Sequence, residues 1–108
     1  VVGIVFRGDY VTVQFQVPRV GSRKAMKFDA VSMSDGTLRT LAALVAAYQP
    51  GWPGDSPTLV AIEEPETALH PAAMHALVDA LDEATGRTQI LLTTHSTELL
   101  DNPTIRPE

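Results

Sequence analysis

The spacing of hydrophobic positions changes along the chain and divides it into a β-rich beginning and an α/β remainder. Residues 1–7 form an apolar run rich in β-branched side chains, and residues 10–17 alternate strictly between apolar and polar side chains. The apolar positions of the alternating segment are Val11, Val13, Phe15 and Val17. Because a Gly-Asp pair separates the two segments, they predict an antiparallel hairpin with one buried face. Alternation at residues 26–30 predicts a third strand, so residues 1–31 are expected to form a small antiparallel β unit.

Helical spacing begins after this unit. Ser34 is a good N-cap, and Asp35 lies in the first turn, where an acidic side chain complements the helix dipole. The apolar positions that follow are Leu38, Leu41, Ala42, Val45 and Tyr48. They predict an amphipathic helix that ends at a loop rich in proline and glycine, at residues 50–57.

A strand, a helix and a second strand come next. Residues 58–62 and 88–93 are apolar runs, and Pro71 opens a helix between them. The apolar positions of this helix are Met74, Leu77, Val78 and Leu81. Uninterrupted apolar runs are typical of parallel strands that are buried on both faces. The strand–helix–strand order therefore predicts two parallel strands that end at the same edge of one sheet.

Three side chains suited to catalysis follow these strands. Glu63 and Glu64 come directly after the first strand, and His95 follows the second. Open α/β sheets bind their ligands at the carboxyl ends of the strands. There Glu63 could hold Mg²⁺, Glu64 could orient or deprotonate a water, and His95 could donate a hydrogen bond to a phosphate oxygen. A Glu-Glu pair can equally form a solvated loop, but the apolar run before it and Pro65 after it favour a functional site.

The helix start at Ser34 adds an element suited to an anion. Its backbone N–H groups, the Ser34 hydroxyl and the closely approachable Gly36 could together contact a phosphate. Phosphoryl transfer or hydrolysis typically uses an anion-binding helix start together with a carboxylate pair, a metal and a histidine. The sequence therefore favours one of these reactions.

The amino-acid composition excludes several classes of functional site. The 108 residues include no cysteine, which excludes a disulfide framework, a zinc knuckle and a thiol nucleophile. The formal net charge of −5 argues against a nucleic-acid-binding surface over the chain as a whole. No apolar run approaches the roughly 20 residues that cross a bilayer. We therefore expect no membrane partner and a cytoplasmic location.

Four short motifs occur in a fixed order in this part of the chain. They are Ser34-Asp35-Gly36-Thr37-Leu38-Arg39, residues 59–64, Thr67-Ala68-Leu69-His70 and Thr93-Thr94-His95-Ser96. In order and spacing they resemble the signature, Walker B, D-loop and switch-histidine motifs of ATP-binding-cassette (ABC) type, AAA-family ATPase heads. The branch they resemble contains the overcoming-lysogenization-defect (OLD) nuclease heads and is related to the recombination and chromosome-structure ATPases.

This resemblance implies an α/β fold of the P-loop NTPase class and the binding and hydrolysis of ATP with Mg²⁺. Glu63 corresponds to the metal-binding acid, Glu64 to the catalytic glutamate and His95 to the switch histidine. The signature residues that would contact ATP across a head-to-head homodimer are Ser34, Asp35, Gly36 and Thr37. The D-loop residues at the same nucleotide site are Thr67, Ala68, Leu69 and His70. Coupling to DNA or to an effector nuclease, in DNA repair or phage defence, is also implied.

The sequence departs from the family pattern at three points. Glu63 replaces the more common Asp, and Asp35 replaces the Gly of the transporter signature. No G-x-x-x-x-G-K-[ST] phosphate-binding loop occurs anywhere in the chain. Residues 1–108 are therefore expected to be the C-terminal part of one head, with residues 32–108 running from the signature helix to the switch loop. The phosphate-binding loop would lie upstream or in another chain, and this chain alone would be inactive.

Two other functions remain open from the sequence. A metal-dependent nuclease could use Glu63, Glu64, Glu66 and His70, although Pro65 and Pro71 interrupt any helix that would align them. A non-catalytic dimerisation or regulatory module would keep only the signature surface. Individual residues also have structural interpretations: His70 could simply cap the helix that begins at Pro71, and His75 could be solvated.

Overall fold

A computed structural model describes residues 2–49 and 59–105. The chain forms two compact units, Val1–Ser34 and Asp35–Glu108. The predicted loop at residues 50–57 lies outside the described residues. Within the two described ranges, no helix combines the length and the apolar character needed to span a bilayer.

The first unit is a three-stranded antiparallel sheet in the order β1-β2-β3. Its strands are β1 (Val2–Arg7), β2 (Tyr10–Val17) and β3 (Met26–Asp29), and a 3₁₀ helix at Ala30–Ser32 follows them. The β1–β2 hairpin places Arg7 opposite Tyr10, and β2 pairs with β3 from Gln14 opposite Asp29 onward. The predicted hairpin and third strand are confirmed, except that Ala30 belongs to the 3₁₀ turn.

Burial in this sheet does not follow the predicted alternation along β2. Gln14 is only 5% exposed, whereas Val11 is 57% exposed. Gln14 is satisfied despite its burial, because its side-chain amide donates to Asp29 Oδ1 at 3.0 Å. A polar residue with a cross-strand partner can therefore be more deeply buried than an apolar residue near the strand end.

The second unit carries the predicted βαβ topology. Its elements are α1 (Asp35–Ala47), β4 (Leu59–Glu63), α2 (Pro71–Ala84), β5 (Gln89–Thr93) and α3 (Thr97–Leu100). Strands β4 and β5 are parallel, with Leu59 opposite Gln89 and Glu63 opposite Thr93. Both strands therefore end at the same edge, as the sequence predicts.

The core of this unit lies between the two helices and one face of the sheet. The four predicted core positions of α2 are all buried. In α1, however, the buried core positions are Ala43 and Ala47, while Val45 of the predicted face is exposed. Tyr48 of the predicted face does pack against the core, so the face was predicted only in part. Alanine side chains are small enough for α1 to pack closely, but they add little to a hydrophobic pattern.

The prediction that strand β4 is buried on both faces is also wrong for this structure. Leu59 and Leu91 are 53% and 55% exposed. The helix-facing residues of the strands that pack against the core are Ile62, Ile90 and Leu92. The exposed leucines lie on the opposite face because α1 and α2 both pack against the same side of the two strands.

Candidate active site at the carboxyl edge of the parallel sheet

The two carboxylates at the end of β4 have different surroundings. Glu63 is exposed, and its carboxylate makes no hydrogen bond or ion pair with any residue that the structure describes. Glu64 is half-buried, and its backbone N–H donates to the Thr93 carbonyl at 2.9 Å. This bond extends the contact between the two strands by one residue. Glu64 has a φ of 43°, in the left-handed region that non-glycine residues rarely adopt.

His95 lies beside Glu64. The distance from His95 Nε2 to Glu64 Oε1 is 3.6 Å, and the His95 side chain is 91% exposed. The other oxygen of Glu64 accepts a hydrogen bond from the Thr67 hydroxyl at 3.3 Å. The parallel strands thus bring the second carboxylate and the histidine together, as the βαβ topology predicts. They also bring the first residue of the predicted D-loop to the same carboxylate.

A third carboxylate, Glu66, connects this segment to the loop after β5. Glu66 Oε1 accepts the Thr94 hydroxyl at 2.6 Å and the His95 backbone N–H at 3.3 Å. Thr94 Oγ1 in turn accepts the backbone N–H of Ser96 at 3.0 Å. One carboxylate oxygen therefore interacts, directly or through a hydroxyl, with three consecutive residues of the loop.

The protonation state of Glu66 reflects these bonds. Burial acts to raise the pKa of this carboxyl, but the Thr94 hydroxyl and backbone N–H groups donate to it and hold the pKa below its usual range. Glu66 Oε2 is buried and has no hydrogen-bond partner among the residues described. The carboxylate is thus stabilised in its charged form through one oxygen only.

The segment between Glu64 and α2 is built from two successive turns. Thr67 N–H donates to the Glu64 carbonyl at 3.0 Å, and Leu69 N–H donates to the Glu66 carbonyl at 2.9 Å. Ala68 has a φ of 65°. The exposed backbone of Ala68 packs against Gly36 of α1, where a Cβ would collide with the Ala68 carbonyl. The start of α1 and this segment are therefore in direct contact.

His70 has a structural role in this geometry. Its Nδ1 accepts the Ala72 backbone N–H at 3.3 Å and caps α2, whose first residue is Pro71. Glu66 is directed to the loop after β5 instead of toward His70. In residues 2–49 and 59–105, no three acidic or histidine side chains form a group able to hold a metal. Glu66 and His70, which the nuclease alternative would use together, thus have separate hydrogen-bond partners in the structure.

The remaining signature residues lie at the start of α1. Ser34 is exposed and is the last residue of the first unit, Asp35 is exposed, and Thr37 is partly buried. Further along α1, Arg39 lines a cavity of about 290 Å³ together with Glu63 and Glu64. Arg39 thus lines the same cavity as Glu63 and Glu64.

Comparison with known families identifies the domain to which this arrangement belongs. Residues 8–101 match the model of the family described as "AAA domain, putative AbiEii toxin, Type IV TA system". The chain belongs to this family. No curated protein and no solved structure matches the chain. The matched range begins at Gly8, so it includes strands β2 and β3 of the antiparallel sheet but not β1.

Membership of the AAA family indicates a nucleotide-binding, ATPase-like function of the P-loop class. Such domains typically use Mg²⁺ with the nucleotide. Mg²⁺ is commonly held by one or two carboxylates, with waters and phosphate oxygens completing its shell. Glu63 fits this requirement because its carboxylate is exposed and has no partner among the described side chains. The lack of a three-residue metal cluster in the described ranges is therefore compatible with a magnesium nucleotide.

The main features of the candidate site that sequence reasoning missed are the contacts of Glu66 and Gly36. The sequence indicated Glu66 only as a potential nuclease ligand. It indicated Gly36 as a point of close approach for an anion and as a signature residue, but not as a packing contact. A general feature of the sequence could have indicated the role of Glu66, because a loop that leaves a strand carries backbone N–H groups that need acceptors. Nothing in the sequence pairs Gly36 with Ala68, since that contact depends on how α1 packs.

Proposed function

We propose that this chain supplies the signature, Walker B, D-loop and switch-histidine elements of an ABC-type ATPase head that binds and hydrolyses ATP. The observation that carries this proposal is the placement of His95 Nε2 at 3.6 Å from Glu64 Oε1, at the sheet edge that also bears Glu63. Family membership supports the ATPase class, and the four motifs support the ABC type.

In the proposed reaction, Glu64 orients the attacking water and accepts its proton. The Thr67 hydroxyl holds one oxygen of Glu64 and leaves the other, near His95, to face the water. His95 donates a hydrogen bond to a phosphate oxygen from its exposed ring. Glu63 would hold Mg²⁺. A bound Mg²⁺ would neutralise the charge that develops on the phosphates.

The phosphate-binding loop of the proposed site comes from outside these residues, because the sequence contains no glycine-rich loop with a lysine. We place the signature residues Ser34, Asp35, Gly36 and Thr37 in trans, on the nucleotide of a second head in a head-to-head homodimer. The D-loop, Thr67-Ala68-Leu69-His70, would lie at the same dimer interface.

The biological process is proposed from resemblance. The OLD-like motif set favours a DNA-linked role such as repair or phage defence, with DNA or an effector nuclease as the partner. The family description names a toxin of a type IV toxin–antitoxin system, which is a second candidate setting for the same ATPase.

Glu64→Gln in the intact protein tests the catalytic role. Removing a general base typically lowers turnover by about 10²- to 10⁴-fold, while ATP binding should survive because the amide leaves the site's shape unchanged. Glu98→Gln is a matched control, since Glu98 Oε1 also lies 3.6 Å from a histidine, His75 Nε2, but on α3. Turnover and ATP affinity would be measured for both variants.

Two outcomes contradict the proposal. Near-normal turnover of the Glu64→Gln protein would remove Glu64 from the reaction. A wild-type protein that dimerises but releases no phosphate would instead favour the non-catalytic module.

Mixed dimers test the action of the signature in trans. Heads carrying Ser34→Arg are combined with heads whose phosphate-binding loop is disabled. If Ser34 acts across the interface, both defects fall in one composite site of the mixed dimer and the other site stays intact. The mixture should therefore recover activity that neither variant has alone. Activity that follows only the amount of intact phosphate-binding loop, whatever the state of Ser34, would exclude a role for the signature.

A further inference from the structure

Few contacts restrain the side chain of His95. It is 91% exposed, and among residues 2–49 and 59–105 its only polar side-chain contact is the 3.6 Å approach to Glu64. An exposed imidazole can adopt several rotamers. The position of its ring relative to Glu64 therefore depends on where the loop backbone places its α-carbon.

That backbone is held from one side by Glu66. The carboxylate accepts the His95 N–H and the Thr94 hydroxyl, and Thr94 passes the interaction on to the Ser96 N–H. Because hydrogen bonds to an ionised carboxylate are stronger than neutral ones, this is the strongest polar attachment of the loop to the segment after β4. Ser96 then caps α3 by accepting the Leu99 N–H at 3.2 Å. The loop is thus fixed at both ends of His95.

Glu66 is separated from Glu64 by one residue, Pro65, which is buried. Proline restricts the backbone between the two carboxylates. Glu64 and the anchor of the histidine loop therefore sit on one short, stiff segment. A shift of this segment would move the proposed base and the histidine together.

We propose that Glu66 is a positioning residue that fixes His95 against Glu64 by holding residues 94–96. The inference rests on the proposed ATPase function for its catalytic consequence. Glu66 does not touch the water or the nucleotide in this scheme, and it acts through the loop. Its loss should lower kcat and leave ATP affinity nearly unchanged.

The test compares four variants of the intact protein. Glu66→Ala removes the anchor, Glu66→Gln keeps one acceptor oxygen without the charge, and Thr94→Val removes the hydroxyl. Thr104→Val is the matched control, because the Thr104 hydroxyl also donates to a carboxylate, Asp79 Oδ1 at 3.3 Å, away from His95. Two quantities are measured: amide hydrogen exchange at His95 and Ser96 without nucleotide, and kcat with the ATP dissociation constant.

Glu66→Ala should accelerate exchange at both amides by at least about tenfold, because a charge-assisted hydrogen bond is lost. It should lower kcat by roughly 10- to 100-fold, the scale of a displacement of about 1 Å at a catalytic group. Glu66→Gln and Thr94→Val should show smaller changes in the same direction, and Thr104→Val should match the wild type. If Glu66→Ala does not fold, the exchange rates and kcat of the Glu66→Gln and Thr94→Val proteins are compared with those of the wild type instead.

Unchanged exchange at His95 and Ser96 would show that Glu66 does not hold the loop and would overturn the proposal. Faster exchange with wild-type kcat would show that the anchor has no catalytic effect, which overturns it equally. If the wild type hydrolyses no ATP, the proposed function fails together with the catalytic half of this inference. The exchange rates would then still decide whether Glu66 anchors the loop.

Discussion

The carbonyl oxygen of Ala68 lies directly against the α-carbon of Gly36, with no side chain between them. A Cβ at position 36 would also stand 3.1 Å from Leu69 Cδ2. Position 36 requires glycine, because there is no room there for a side chain. The contact joins the start of α1 to the segment that carries Glu64 and Glu66.

Gly36→Ala is therefore expected to destabilise the protein. The obstacle is backbone, which cannot move aside as a flexible side chain can, so we expect a loss of about 1–3 kcal/mol in the free energy of unfolding. Thermal and denaturant unfolding would measure it. Gly3→Ala is the control, because a Cβ at Gly3 meets nothing within 4 Å. Equal stability of the two variants would contradict the close contact.

Replacing Asn102 should lower the free energy of unfolding, because this polar side chain is buried and hydrogen-bonded. It is 4% exposed, its Nδ2 donates to His75 Nδ1 at 3.0 Å, and its Oδ1 accepts the Thr104 N–H at 2.9 Å. Asn102→Ala leaves both partners unpaired, which should cost about 1–3 kcal/mol of unfolding free energy. Gln49→Ala, at an exposed side chain with one bond of 3.3 Å, should change stability little. A wild-type melting temperature for Asn102→Ala would show that this network is not stabilising.

The stability that Glu66 contributes should depend on pH. Its pKa is lower in the folded protein, so folding favours the ionised form. The contribution is complete above the unfolded-state pKa of about 4.3 and is lost as the pH falls through the folded-state value. The difference in unfolding free energy between the wild type and Glu66→Ala should therefore shrink in acid.

The Glu66→Gln protein provides the control for this prediction, because its amide does not titrate. Its stability relative to Glu66→Ala should stay constant over the same pH range. A wild-type advantage that grows as the pH falls would contradict the assigned direction of the pKa shift.

Residues 1–108 produced alone should bind ATP weakly and hydrolyse none. The phosphate contacts of P-loop enzymes come largely from a loop that this sequence does not contain. One exposed helix N-terminus contributes only about 0.3–1 kcal/mol, whereas a millimolar dissociation constant requires about 4 kcal/mol. Calorimetry with Mg-ATP measures the affinity directly. Micromolar binding would mean that the phosphate site lies elsewhere in the chain.

The topology of the second unit could be predicted because periodicity and connection order determine it. The apolar runs around β4 and β5, with one helix between them, required parallel strands and a shared edge. The same logic brought His95 to Glu64. The buried face of α1 could be predicted only in part, since Ala43 and Ala47 look the same as exposed alanines in a sequence.

Contacts between loops were the least predictable part of the site. The attachment of Glu66 to Thr94 crosses 28 positions of the sequence and depends on two turns and a buried proline. Gln14 was misjudged for a related reason, because its burial depends on a hydrogen bond to Asp29 on the neighbouring strand. Hydrophobic patterns predict which elements form, but they carry no information about which polar groups satisfy one another.

If Glu64 has the proposed catalytic role, its left-handed backbone sets stability against activity. A glutamate at a φ of 43° costs about 1–2 kcal/mol that asparagine, or glycine despite its chain entropy, would partly avoid. Selection for stability alone would therefore replace this residue, and selection for hydrolysis would retain it. Directed evolution of this domain toward thermal resistance should enrich asparagine or glycine at position 64 among survivors that have lost turnover. Under the proposed role, a glutamate that persists at position 64 would indicate that selection for hydrolysis continues.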